Sequence, residues 1–150
     1  RERTPNGPRF ILRKTYVPGR ALTTITVKDA EEIGRLIAGF HARAVVNNDP
    51  APSNFVRTPE GVLFCIDFGR SRTFRWSNPY FFFYVGKELA RLHRAGLGGC
   101  PILGEAFTKS YRALAAHSWW QYWVVQTSFH YWQWRGQRHH PIACPLEPTC

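Results

Sequence analysis

Apolar and polar positions along this 150-residue chain change their period several times, and each change marks an element. Residues 1–8 are polar and contain Pro5, Gly7 and Pro8, which reads as a loop. The run from Arg9 to Val17 is extended in character, and Pro18-Gly19 stops it. Thr26 and Asp29 have the spacing of a capping box, and Asp29, Glu31 and Glu32 complement the positive end of a helix. Ile33, Leu36, Ile37 and Phe40 then recur on one face, which predicts a helix over residues 28–43. Asn, Pro and Asp crowd residues 45–54 and break that period into an irregular loop. Two short strands follow, Asn54–Thr58 and Val62–Phe68. They are joined by Thr58-Pro59-Glu60-Gly61, with Pro at the second and Gly at the fourth position of a type I turn. Val62 to Ile66 is apolar almost throughout, so the second strand is expected to be buried on both faces.

The rest of the pattern is helical. Phe81, Val85, Leu89 and Leu92 share a face of a segment near 79–95, ended by Gly96 and Gly98. Leu103, Phe107, Tyr111 and Leu114 mark another near 101–116. Ser118 to Trp134 is a third and contains Trp119, Trp120, Trp123, Trp132 and Trp134. Residues 135–150 are expected to form a disordered tail. The fold class that follows is α+β, mainly α, with one small β-hairpin.

With 44% hydrophobic and 20% charged residues, the composition is that of a folded domain and excludes a disordered chain. No apolar window has the length of a membrane-spanning helix, and no secretory signal opens the chain. The Arg at position 1 and the absence of Met suggest a fragment or a processed chain. A formal charge of +10 favours anionic partners: nucleotides, nucleic acid, phosphorylated lipids or membrane headgroups. Cys65 lies in an apolar run and reads as a small core residue. His139, His140, Cys144 and Cys150 match no standard zinc spacing, so no zinc site is expected there. A reducing, cytoplasmic setting is the default.

Candidate chemistry comes from the order of the parts. A helix precedes a loop with Asp49-x-x-x-x-Asn54, then come a hairpin and Asp67-Phe68-Gly69. Phosphoryl transfer needs a carboxylate to orient or deprotonate the attacking hydroxyl, and hard oxygen ligands to hold Mg²⁺. Asp and Asn are the residue types for both tasks. The stretch from His41 through Asp49 and Asn54 to Phe55, followed by Ile66-Asp67-Phe68-Gly69, resembles the catalytic and metal-binding loops of the protein-kinase superfamily. More narrowly it resembles the bacterial lipopolysaccharide core kinases, which phosphorylate heptose or Kdo sugars, and the RIO-type atypical kinases. The likeness runs over residues 9–95.

What the resemblance implies is specific. The fold would be the C-terminal lobe of a kinase over residues 9–134, with the hinge at 10–19, the catalytic loop at 47–54 and the metal loop at 67–69. Asp49 would be the catalytic base, and Asn54 and Asp67 would hold Mg²⁺. The backbone of Thr15 and Val17 would hold the adenine of ATP, with Lys14 at the gatekeeper position. Asn47 stands where the superfamily usually has His, and Ala51 where most Ser/Thr protein kinases carry Lys. No Ala-Pro-Glu follows Asp67. These departures point from signalling kinases toward small-molecule and atypical branches. The glycine-rich loop, the strand Lys and the helix Glu of an N-terminal lobe are not found, and that lobe is expected to be missing. The implied reaction is ATP-dependent phosphorylation of a sugar hydroxyl of the lipopolysaccharide core, at the cytoplasmic face of the inner membrane. The alternatives are an atypical serine/threonine protein kinase and a truncated, non-catalytic scaffold module.

His41, closing the first helix, reads as structural rather than catalytic. Arg70 and Arg72 follow the metal loop and either meet a phosphate or acidic group or are solvated charge. The Trp-rich C-terminus, flanked by Arg112, Arg135 and Arg138, suits a membrane surface and a lipid-linked glycan acceptor. Packing of these rings onto the lobe is the equal alternative. Stacking on single-stranded nucleic acid is the weaker third reading, so nucleic acid is not the expected partner.

Overall fold

The computed structural model describes residues 3–4, 7–8, 16–75, 78–115 and 117–137. It is α+β and mainly helical, with small antiparallel sheets. Strands β1 (Arg3–Thr4) and β2 (Gly7–Pro8) pair antiparallel, so the opening expected as a loop contains a short ladder. The extended run beginning at Arg9 lies outside the described residues as far as Thr15. Strand β3 (Arg20–Ala21) leads to α1 (Val27–His41), one residue ahead of its expected start.

The helix begins where the capping box places it. The Asp29 amide donates to Thr26 Oγ1 at 3.2 Å, and Asp29 Oδ2 accepts from the Thr26 amide at 2.9 Å. Asp29 also binds the Arg57 guanidinium, which reaches Glu32 as well, at 3.0 Å. Burial opposes ionisation of Asp29, but the Thr26 hydrogen bonds and Arg57 outweigh it and hold the carboxyl below its usual range. One acid therefore caps the helix and ties it to the hairpin.

Strand β4 (Val45–Val46) follows α1, and a 3₁₀ turn over Pro52–Asn54 leads into β5 (Phe55–Arg57) and β6 (Leu63–Cys65). The connecting turn closes as expected, with the Gly61 amide on the Thr58 carbonyl at 2.9 Å and Gly61 at φ 83°. The sheet is larger than a hairpin, because β3 pairs with the other edge of β5. The expectation that β6 is buried on both faces is corrected. Leu63 is buried, but Val62 and Phe64 are 51% and 42% exposed. As an edge strand, β6 puts alternate residues against the core and leaves the others in solvent.

Strand β7 (Arg72–Thr73) pairs back onto β4. Helix α2 (Pro79–Leu92) is capped by Asn78, whose Oδ1 accepts from the Tyr80 amide at 2.9 Å, and it widens into a π turn over His93–Leu97. Helices α3 (Pro101–Leu114) and α4 (Trp119–Gln137) complete the chain. Since α4 runs to Gln137, residues 135–137 are helical rather than part of a tail, and the rest of that tail lies outside the described residues.

The helices pair α1 with α3 and α2 with α4. Ile33, Ile37, Phe55, Leu63, Leu103 and Phe107 build one core beneath the sheet, and Val46, Phe81, Phe82, Val85 and Val125 build a second between α2 and α4. Each such large apolar side chain stabilises the fold by about 1.5–3 kcal/mol when fully buried. No helix among the described residues is long and apolar enough to cross a membrane.

Candidate functional site

Two loops lie side by side because their ends are paired. The loop carrying Asp49 and Asn54 leaves β4 and enters β5, while the loop carrying Asp67 leaves β6 and enters β7. β5 pairs with β6 and β4 with β7, so both ends of one loop are zipped to both ends of the other. The Ile66 amide donates to the Asn54 carbonyl at 2.8 Å, which puts Asp67 one residue beyond a rung made by Asn54. Farther along, Asn48 Nδ2 donates to the Arg70 carbonyl at 3.3 Å, and Arg70 Nη1 lies 3.8 Å from Asp49 Oδ2.

Within the first loop, Asn54 Nδ2 donates to the Asp49 carbonyl at 2.8 Å. That bond fixes the amide orientation and leaves Asn54 Oδ1 as its acceptor. In the second loop Asp67 is exposed, at φ 59°, and its Oδ1 accepts from the Gly69 amide at 3.2 Å. Asn48 adopts the same left-handed conformation, at φ 64°. Asn and Asp carry that geometry at lower cost than other non-glycine residues, and such positions cluster where a site needs a fixed backbone. Phe68 packs edge-to-face on Phe40 of α1, ring centroids 5.2 Å apart, and anchors the Asp67 loop to the helix.

Val17 is half-buried on the segment entering β3, and no hydrogen bond among the described residues ties it to the Asp49 loop. Thr15 and Lys14 lie outside the described residues.

Support from below comes from His41, expected to be structural, and from Glu88, which no motif marks. His41 is 1% exposed; its Nδ1 lies 2.8 Å from the Tyr111 hydroxyl and its Nε2 lies 3.2 Å from Glu88 Oε2. The same carboxylate oxygen accepts from the Asn47 amide at 3.1 Å, so Glu88 of α2 holds the loop two residues before Asp49. Burial, then the Glu88 charge, keeps the Tyr111 phenol protonated well above its usual range. His41 is thus a structural histidine. The sequence did carry a signal for Glu88, a carboxylate three residues after Val85 within the apolar stripe of α2, where a buried acid requires partners.

Burial pushes the Cys65 thiol up to about 12 against the hydrogen bond from Asn47, and the Glu88 and Asp67 charges add to it. Cys65 is therefore an inert thiol packed against the core, not a nucleophile.

A fit to Mg²⁺ can be judged from the donor set. Asn54 Oδ1 and the Asp67 carboxylate are hard oxygens of the kind Mg²⁺ takes, with water and phosphate completing its shell. They fit such an ion. Among the described residues no cluster of three His, Cys, Asp or Glu side chains could hold a metal.

The Trp-rich helix is partly packed and partly exposed. Trp120 packs edge-to-face on Phe82 at 5.3 Å and Trp132 on Phe83 at 6.1 Å, while Trp119 and Trp123 are 78% and 63% exposed. No protein-family model, curated protein or solved structure matches this chain.

Proposed function

We propose that the chain is the catalytic half of a kinase-like, ATP-dependent phosphotransferase acting on a hydroxyl group, with a sugar of the lipopolysaccharide core as the acceptor. The observation that carries this reading is the double zipping of the Asp49 and Asp67 loops by β4–β7 and β5–β6. It puts a candidate base and two candidate metal ligands on adjoining stretches of backbone held at both ends. The half-buried Asp49 carboxylate orients the acceptor hydroxyl and takes its proton. Asn54 Oδ1 and Asp67 hold Mg²⁺, and Mg²⁺-ATP would supply the phosphoryl group. The hydrogen bond from Asn54 Nδ2 to the Asp49 backbone carbonyl ties the two ends of this loop together. Arg70, largely exposed, lies beside Asp49 at a distance where an ion pair is worth little. It is free to turn toward incoming negative charge. The exposed Trp119 and Trp123 support a lipid-linked acceptor, since amphipathic rings settle at headgroup level.

The test is transfer of radiolabelled γ-phosphate from Mg²⁺-ATP to heptosylated, Kdo-bearing lipid A. A general base contributes about 10²–10⁴-fold, so Asp49→Asn is expected to lower the rate by that order with an unchanged circular dichroism spectrum. Wild-type transfer that survives Asp49→Asn undiminished rules the assignment out.

A further inference from the structure

Beside the two loops lies a cleft of about 380 Å³ whose walls include Asn48, Arg70, Arg72, Tyr84, Lys87 and Arg91 and, among the described residues, no Asp or Glu. Four cations therefore converge on it from two elements: Arg70 and Arg72 from the segment after Asp67, and Lys87 and Arg91 from α2. Arg70 pairs loosely with Asp49, while Arg72, Lys87 and Arg91 have no ion pair among the described residues. Arg72 and Lys87 both lie against the Tyr84 ring, at 4.9 and 5.3 Å from its centroid, and Arg72 Nη1 also donates to the Tyr84 hydroxyl at 2.9 Å. Lys87 Nζ sits 4.6 Å over the Trp132 ring. Arg91 donates to the Asn48 carbonyl. Aromatic faces and a backbone carbonyl fix where these cations sit without cancelling their charge.

Like charges placed this close repel. Burial first, then the charges of Arg91, Arg72 and Arg135, hold the Lys87 ammonium below its usual range. A dianionic group between Arg72, Lys87 and Arg91 would remove that repulsion and accept charge-assisted hydrogen bonds from guanidinium and ammonium donors.

We propose that this cleft is a binding site for a phosphate monoester, positioned by Arg72, Lys87 and Arg91 beside the Asp49 loop. Assigning that phosphate to the acceptor, as a second anionic group next to the hydroxyl that reacts, rests on the phosphotransferase reading. Binding of the anion does not. Arg70 touches both sites, being paired to Asp49 at 3.8 Å while lining the cleft, so an anion drawn to the cleft also draws Arg70 away from the base.

The experiment is a titration of the ¹⁵N-labelled protein with inorganic phosphate, with sodium chloride at matched ionic strength as the reference. The expected result is saturable shifts confined to Asn48, residues 69–72 and the α2 face at Lys87 and Arg91, weakened about tenfold by Lys87→Gln or Arg72→Gln through loss of one charge-assisted contact. Shifts that chloride reproduces, that do not saturate, or that survive both substitutions overturn the proposal. A second arm compares phosphatidylcholine vesicles with and without phosphatidic acid. Lys87-dependent binding to the acidic vesicles identifies a lipid phosphate, and indifference to them identifies a soluble sugar phosphate. Phosphate binding without any transfer from ATP removes the phosphotransferase reading and leaves the site, whereas transfer without phosphate binding does the reverse.

Discussion

Glu88 joins more of this molecule than any group at the surface of the site. Its carboxylate, fully buried in α2, meets His41 of α1 and the Asn47 amide through one oxygen. Leaving buried hydrogen-bonding groups without their partner costs about 1–3 kcal/mol, because they stay desolvated. Glu88→Ala should therefore lower the urea-unfolding free energy by that amount, and Glu88→Gln by less, since the amide carbonyl still accepts from Asn47. Equal stability of wild type and Glu88→Ala would show that the network is incidental. The residues proposed to do the chemistry are of the opposite kind. Asp49 and Asp67 are partly or fully open to solvent and anchored mainly through backbone, so substituting them should change activity more than stability.

At the scale of elements, the helix pairs are set by glycine. A Cβ on Gly34 of α1 would meet the Phe107 carbonyl of α3 at 2.7 Å, and one on Gly86 of α2 would meet the Val125 carbonyl of α4 at 2.5 Å. Each helix approaches its partner closely at a residue without a side chain. Backbone cannot rotate away as a side chain can, so Gly86→Ala must separate α2 from α4. The expected cost is about 1–3 kcal/mol, outweighing the helix propensity gained. Gly39, also in α1, has only the Arg43 guanidinium nearby, at 3.7 Å, so Gly39→Ala should be neutral or stabilising. Thermal melts of the two variants check the contrast; a destabilised Gly39→Ala beside an unchanged Gly86→Ala would contradict it.

Across the whole molecule, acid weakens the fold through two imidazoles. Burial, with Arg94 adding for His93 and His41 adding for His117, holds both below the ordinary value of 6.5. The unfolded chain then takes up protons that the folded chain refuses. Their contribution is complete above about pH 6.5 and is lost as pH falls below it. Asp29, also depressed, acts in the same direction at lower pH: its stabilisation is present above 3.8 and fades as pH drops through its folded value. The urea midpoint should fall between about pH 7 and pH 5, and should fall less in a His93→Gln, His117→Gln double variant. Identical slopes for the two proteins would sink the explanation.

Local pattern alone determined α1 with its Thr26–Asp29 cap, the Thr58–Gly61 turn, the helical character of the segments that became α2, α3 and α4, and the order in which Asp49, Asn54 and Asp67 occur. Each depends on neighbours within a few residues, and periodicity and turn chemistry encode such neighbours directly. Only tertiary structure decided that β3 widens the hairpin, that β6 is an exposed edge, that Glu88 braces the Asp49 loop, and that Arg72, Lys87 and Arg91 share one cleft. Those features are contacts between segments far apart in the chain. Gly34 and Gly86 permit the close approach of the helix pairs by lacking a side chain, and no hydrophobic period records any of these contacts.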